Sequence, residues 1–223
     1  MKVEVLKGYF VFFFIKLLNR SDRLKRNFVT LLDIWDFYFW VKSMFPNAYF
    51  IATRNKLFRL ISRQNSTFVG VEFGVASGAI TKFFFHSDGQ KIFAWYGFDT
   101  FTGLPRAWRH LPKGHFSQDG EPPNKPKDSR VRWIVGPVEK TLDLHILDLK
   151  SSLPIVFLFD LDLFEPSYYV WNRIKHQLKP GDILYFDQAF DKDERKLVRD
   201  FVLNYSEFEM LGFTCLGLCL IHK

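Results

Sequence analysis

Cysteine is almost absent: the 223 residues hold two, Cys215 and Cys219. They stand four apart on the last expected strand, too distant to bond each other, and no Cys/His spacing of the metal-binding kind occurs. A disulfide scaffold and a zinc module are therefore excluded, and two buried free thiols in a reducing, cytoplasmic compartment are the expectation. Long hydrophobic runs are missing too. GYFVFFFIKLL at 8–18 falls far short of the ~20 residues that span a bilayer, and no small-residue cleavage site follows it, so neither a membrane span nor a signal peptide is expected. Internal repeats, low-complexity tracts, a Walker lysine and a full G-x-G-x-x-G are likewise lacking. Acidic residues are scarce at one end only. Residues 1–66 carry 12 Lys and Arg against 4 Asp and Glu, while 67–223 carry 19 against 20, so the net charge of +7 belongs to the N-terminal segment. Its basic, aromatic character leaves contact with a membrane surface or a second copy of the chain open; nucleic acid is not an expected partner.

What is present is a large apolar fraction, 48%, ample for a core. From residue 67 onward, apolar runs of strand length alternate with helix-length segments, the pattern of a parallel sheet with crossover helices. Strands are expected at Phe68–Phe73, Ile92–Phe98, Arg132–Val135, Ile155–Asp160 and Ile183–Asp187, with helices at Ala79–Phe85, Pro166–Leu178 and Lys192–Asn204. Two last runs, Phe208–Thr214 and Leu216–His222, are joined too tightly for a crossover and predict an antiparallel hairpin at the sheet edge. The fold class is therefore α/β and Rossmann-like, with about seven strands and a reversed C-terminal one. Residues 1–66 read as an N-terminal extension of two or three helices whose apolar faces pack on the main domain or a partner chain. The segment Phe28–Phe45 has helical length, and Pro46 ends it. Within the 67–223 domain, residues 101–130 hold five prolines and three glycines, too long a connection for an ordinary βα turn and suited to a lid. Trp108, His115 and Phe116 are unusual residues to leave there in solvent.

Three places carry chemistry. The first strand ends in VEFGVASG (71–78), where Gly74 and Gly78 let the chain turn and a ligand approach, ahead of the free amides of the next helix. The second strand ends at Asp99, twenty-one residues after Gly78, where an acid commonly takes ribose hydroxyls. Glu72 would repel a pyrophosphate, so a phosphate-free adenosine cofactor such as S-adenosylmethionine fits better. The third place is FLFDLDLFEP (157–166). In a strand, Asp160 and Asp162 share a face about 7 Å apart and, at an effective dielectric near 20, repel by about 2 kcal/mol. Either the pair lies where the strand opens into a cleft, or it holds a cation or a proton. Capping of the following helix without metal is a further alternative.

In order, VEFGVASG (71–78), GFDTFTGLP (97–105), KGHFS (113–117), VGPVEKTL (135–142), FDLDLFEPS (159–167) and PGDILYFDQAF (180–190) resemble the macrocin O-methyltransferase family, within the class I S-adenosylmethionine-dependent methyltransferases. The resemblance covers most of residues 68–190. It implies that Glu72, Gly74, Ala76, Ser77 and Gly78 lie along the methionine part of the cofactor, that Asp99 and Thr100 border the ribose, and that the loop at Gly136 borders the adenine. It also implies a divalent cation, magnesium, held by Asp160 and the acids after the next strand, with Asp160 also touching the cofactor. Asp187 fills one such position, but Gln188 stands where the pattern has a second acid. Asp162 is then the candidate general base for a hydroxyl acceptor, and His115 in the insertion a second one. The expected activity is metal-assisted O-methylation of a hydroxyl on a small molecule, a sugar or another polyhydroxylated or phenolic compound. The alternatives are a nucleotide-sugar or NAD enzyme, and a non-catalytic or degenerate methyltransferase-fold module that binds a membrane or partner through its basic N-terminus.

Overall fold

A computed structural model describes residues 21–223 apart from 125, 147, 148 and 150; the apolar run at 8–18 lies outside the described residues. Seven strands form one sheet: β1 (Phe68–Phe73), β2 (Ile92–Asp99), β3 (Val131–Val135), β4 (Ile155–Phe159), β5 (Ile183–Phe186), β6 (Phe208–Phe213) and β7 (Leu218–His222), in the order β3-β2-β1-β4-β5-β7-β6. The pairs β3-β2, β2-β1, β1-β4 and β4-β5 are parallel, and β7 runs antiparallel to both β5 and β6. The two closing strands form the expected edge hairpin.

Alternation along the strands sorts side chains into two cores, as a sheet covered on both faces requires. Val69, Val71, Phe73, Phe157, Phe159, Leu184 and Phe186 point to one side and Phe68, Trp95, Val156, Leu158, Ile183 and Tyr185 to the other. Both β1 and β4 are buried along their whole length. On the first side lie α4 (Val138–His145), α5 (Phe164–Ile174) and α6 (Lys192–Leu197), which runs on as a π-helical turn at Val198–Val202. VGPVEKTL, read from sequence as a loop, thus contains α4: Pro137 takes the N-cap position and leaves Val138 and Leu142 to be buried.

Two N-terminal helices are described, α1 (Asp22–Met44) and α2 (Arg54–Gln64). Ser21 and Thr53 cap their first turns through Leu24 N–H and Lys56 N–H. Apolar Leu57, Phe58 and Ile61 place α2 in the second core beside α3 (Ala79–Asp88). Ile51, just ahead of it, donates its N–H to the Phe213 carbonyl at 2.7 Å, and the Phe213 N–H returns a bond to Tyr49.

Burial of α1 is less than its apolar content predicts. Phe37 and Val41 are buried, with Phe37 edge-on to Phe213, but Leu31, Trp35 and Phe39 are 59–64% exposed. Part of the inward side is taken by charge: Asp33, 17% exposed, pairs with Arg109 at 2.8 Å, while Asp36 pairs with Arg195 at 2.8 Å and stays 74% exposed. Among the described residues no helix is long and apolar enough to cross a membrane. Only Cys219 matches the buried thiol expected of both cysteines; Cys215 lies in the exposed hairpin turn.

Candidate active site

The strand order reverses between β1 and β4. In an open parallel sheet that is where a crevice forms beyond the C-terminal strand ends. A cavity of about 820 Å³ opens there. One wall is the turn after β1, where Gly74 has φ +86° and a Cβ would sit 1.9 Å from the Asp160 carbonyl oxygen; no other residue fits. Ala76, at φ +45°, carries the turn through a second left-handed position, the kind of strain that collects at ligand sites. The carboxylate of Asp99 holds the turn closed. Its Oδ2 accepts the Val75 and Ala76 N–H groups at 2.7 Å each, and its Oδ1 accepts Phe101 N–H at 2.7 Å. Asp99 is therefore a brace of the turn, with acceptor capacity left on Oδ1. Ser77, Ala79 and Ile80, at the start of α3, also line the cavity, and no side chain caps that helix, whose N-cap is the left-handed Gly78.

Of the residues singled out from sequence, Gly74, Ala76, Ser77, Asp99, Thr100, Gly136, Asp160, Asp162, Asp187 and Gln188 all line the cavity. Three do not. Gly78 acts only as the N-cap. Glu72 is wholly buried behind the turn, where its Oε2 accepts the Thr81 hydroxyl and the Trp95 indole N–H and its Oε1 has no partner. Burial pushes its carboxyl up to about 8, against those two hydrogen bonds. His115 is exposed, with its ring against Phe116. Its carbonyl accepts the Leu104 N–H, and it is not among the residues that line the cavity. The insertion does border the site through Thr102–Arg106, Lys113 and Phe116, while Trp108 is buried against Leu104 and Leu163.

The segment after β4, which abuts this turn, is acidic. Strand β4 ends at Phe159, one residue before the pair of aspartates, so the shared-face argument for Asp160 and Asp162 does not hold. The chain has left the strand, and Asp162 reaches the cavity through a left-handed backbone at φ +61°. Burial, followed by the charges of Asp187 and Asp191, raises Asp162 to about 7. Burial and the neighbouring Asp187, Asp162 and Glu194 raise Asp160 well above the usual carboxylate range. Glu194 on α6 accepts Gln188 N–H at 2.9 Å, and burial holds its carboxyl high as well.

The cation facing these acids comes from the N-terminal extension. Arg54 Nη1 lies 3.1 Å from both oxygens of Asp187. Burial works against its charge, but Asp187, Tyr185 and Asp160 more than hold it. Asp187 also accepts the Tyr185 hydroxyl on Oδ1 and the Gln188 side-chain N–H on Oδ2 at 3.3 Å. A magnesium ion needs carboxylate oxygens with free lone pairs at about 2.1 Å. Here the Asp187 oxygens are occupied by donors, one of them the Gln188 side-chain amide nitrogen. The set Asp160, Asp187 and Gln188 does not fit the ion that the motifs imply, and among the described residues no group of three or more His, Cys, Asp or Glu has metal-binding geometry. Arg54, Tyr185 and Glu194 were not recognised from sequence. Only the neutral Gln188 hinted that the charge balance here is met differently.

Structures of two O-methyltransferases align over about three quarters of the chain. Calicheamicin methyltransferase CalS11 gives a TM-score of 0.57 at 22% identity, covering 75% of this chain and 76% of that one. The O-methyltransferase NovP gives 0.51 at 13%, covering 76% and 80%. An apo structure of CalS11, described as a TDP-rhamnose 3'-O-methyltransferase, gives 0.52 at 21%. No protein-family model and no curated protein matches the sequence. The alignments show that the chain has the fold of these methyltransferases.

Proposed function

We propose that this chain, built on the class I methyltransferase fold, transfers a methyl group from S-adenosylmethionine to a hydroxyl oxygen of a small molecule. The observation that carries the reading is that one cavity is lined both by the Asp99-braced glycine turn with the uncapped start of α3 and by the raised carboxyl of Asp162. The first wall suits this cofactor. A carboxylate is favoured at a helix N-terminus, Asp99 keeps an acceptor for a ribose hydroxyl, and no lysine-bearing phosphate loop is present. When bound, the cofactor supplies an electrophilic methyl on a sulfonium. Asp162, near 7, is matched to neutral pH as a general base: it is substantially ionised, yet basic enough to take a hydroxyl proton. The cavity size is that of ordinary ligand pockets and favours a small acceptor. The description of CalS11 as a sugar O-methyltransferase supports oxygen as the acceptor atom.

Calorimetric titration tests the cofactor wall. S-adenosylhomocysteine is expected to bind the wild type and NAD not to. Asp99→Ala, which strips three amides of their acceptor, should weaken binding at least about tenfold, or 1.4 kcal/mol. Unchanged affinity in Asp99→Ala, or preference for NAD, would refute the assignment. The base is tested by transfer of labelled methyl to a panel of sugars and phenols. Asp162→Asn should lower turnover about 100-fold or more while leaving S-adenosylhomocysteine affinity intact; equal turnover removes Asp162 from the reaction.

A further inference from the structure

We propose that Arg54 is the resident cation of the acceptor site, placed where a divalent metal would otherwise sit, so that the N-terminal extension completes the reaction centre and methyl transfer needs no metal. The proposal rests on the methyltransferase reading above and adds to it a charged residue that the motif resemblance does not contain.

Three observations carry it. First, the position is built. Arg54 opens α2 directly after the Thr53 cap, the preceding chain is pinned to β6 through Ile51 and Tyr49, and the guanidinium lies 5.7 Å from the Phe58 ring centroid. Second, the charges are reciprocal. Amide Gln188 stands where the family pattern carries a second acid, removing one negative charge, and Arg54 adds a single positive one against Asp187, with the charge of Asp160 a weaker influence on it. A guanidinium bound to both oxygens of Asp187 stands in place of a divalent cation. Third, Arg54 still has something to offer. Its bonds to Asp187 run through Nη1 alone, and its side chain is 43% exposed and lines the cavity, which leaves Nε–H and Nη2–H donors for an acceptor oxygen.

A guanidinium does not deprotonate in proteins and aims fixed donors at an oxyanion. In the transfer, the acceptor O–H bond breaks and its proton passes to the Asp162 carboxylate. The oxygen forms the new O–CH3 bond, the sulfonium C–S bond breaks, and its electron pair stays on sulfur, leaving a neutral thioether. Arg54 stabilises the negative charge that builds on the acceptor oxygen between these events, as a preorganised donor does at any developing oxyanion.

The test uses Mn2+ as a spectroscopic probe, read by electron paramagnetic resonance on the full chain with saturating S-adenosylhomocysteine. Wild type is expected to bind Mn2+ no tighter than about 1 mM, the range of weak oxygen-ligand sites. Arg54→Ala/Gln188→Glu frees Asp187 and restores the acid, and should bind it at least about tenfold tighter, in competition with Mg2+. Arg54→Lys/Gln188→Glu keeps a cation in place and should stay near wild type. Tight Mn2+ binding by the wild type overturns the proposal, as does an alanine double variant that binds no tighter while its thermal transition and S-adenosylhomocysteine affinity show it folded. A wild type that fails to bind S-adenosylhomocysteine instead overturns the methyltransferase reading, whatever the manganese result.

Discussion

Gly74→Ala is expected to cost more than about 4 kcal/mol of stability and to abolish cofactor binding, because it collides with backbone rather than with a side chain able to move. A Cβ there would stand 1.9 Å from the Asp160 carbonyl oxygen. That carbonyl belongs to the residue whose N–H is bonded to Phe73 at 2.8 Å, so relief requires parting β1 from β4 at the switch point. The left-handed φ adds a further penalty of about 1–2 kcal/mol. Gly114→Ala isolates that second part, since Gly114 has nearly the same φ, +81°, and open space around its Cβ position. Its melting temperature should fall by only a few degrees, at roughly 2–4 °C per kcal/mol for a chain of this length. Equal melting temperatures for the two variants would show that the close approach of Gly74 to Asp160 has no energetic weight.

Glu72→Gln should flatten the pH dependence of stability. The Glu72 carboxyl is near 8 in the folded protein against 4.5 ordinarily. Between those values the unfolded chain has lost the proton and the native state keeps it. The unfolded state then binds fewer protons, and stability falls as pH rises, by up to about 1.4 kcal/mol per pH unit for this one group, levelling off above pH 8. Asp162 acts in the same sense between 3.8 and about 7. Stability from these groups is therefore full below their ordinary values of 4.5 and 3.8 and is lost as pH rises to about 8 and about 7, opposite to a protein held by ordinary salt-bridged carboxylates. A glutamine can accept both the Thr81 and Trp95 bonds on one oxygen, as Glu72 Oε2 does; its N–H group would inherit the partnerless place of Oε1, at a cost that does not vary with pH. Urea midpoints from pH 5 to 9 should decline more steeply for wild type than for Glu72→Gln. Parallel curves would mean that Glu72 is ionised in the native state at neutral pH.

The sequence by itself determined the strands, the reversed hairpin and the glycine turn, because these follow from local pattern. A buried strand reads as an apolar run whatever lies beside it, and a tight turn between strand and helix needs glycine wherever it occurs. The cavity-lining places of Gly74, Asp99, Asp160 and Asp187 were legible for the same reason: each stands at or next to the end of a strand, and in a parallel sheet those ends share one edge. What the side chains do there was decided by tertiary structure. Asp99 spends most of its oxygens bracing the turn, and Glu72 turns away to Thr81 and Trp95. Asp162 comes to the cavity through a left-handed backbone after the strand has ended, which an alternating pattern cannot anticipate. His115 stays outside the cavity lining, exposed beside Phe116. The largest omission was Arg54, whose contact with Asp187 closes a separation of 133 residues. No periodicity or spacing encodes such a contact: it exists because α2 docks on the sheet through Leu57, Phe58 and Ile61, and hydrophobic packing, indifferent to charge, brings its first residue over the acids.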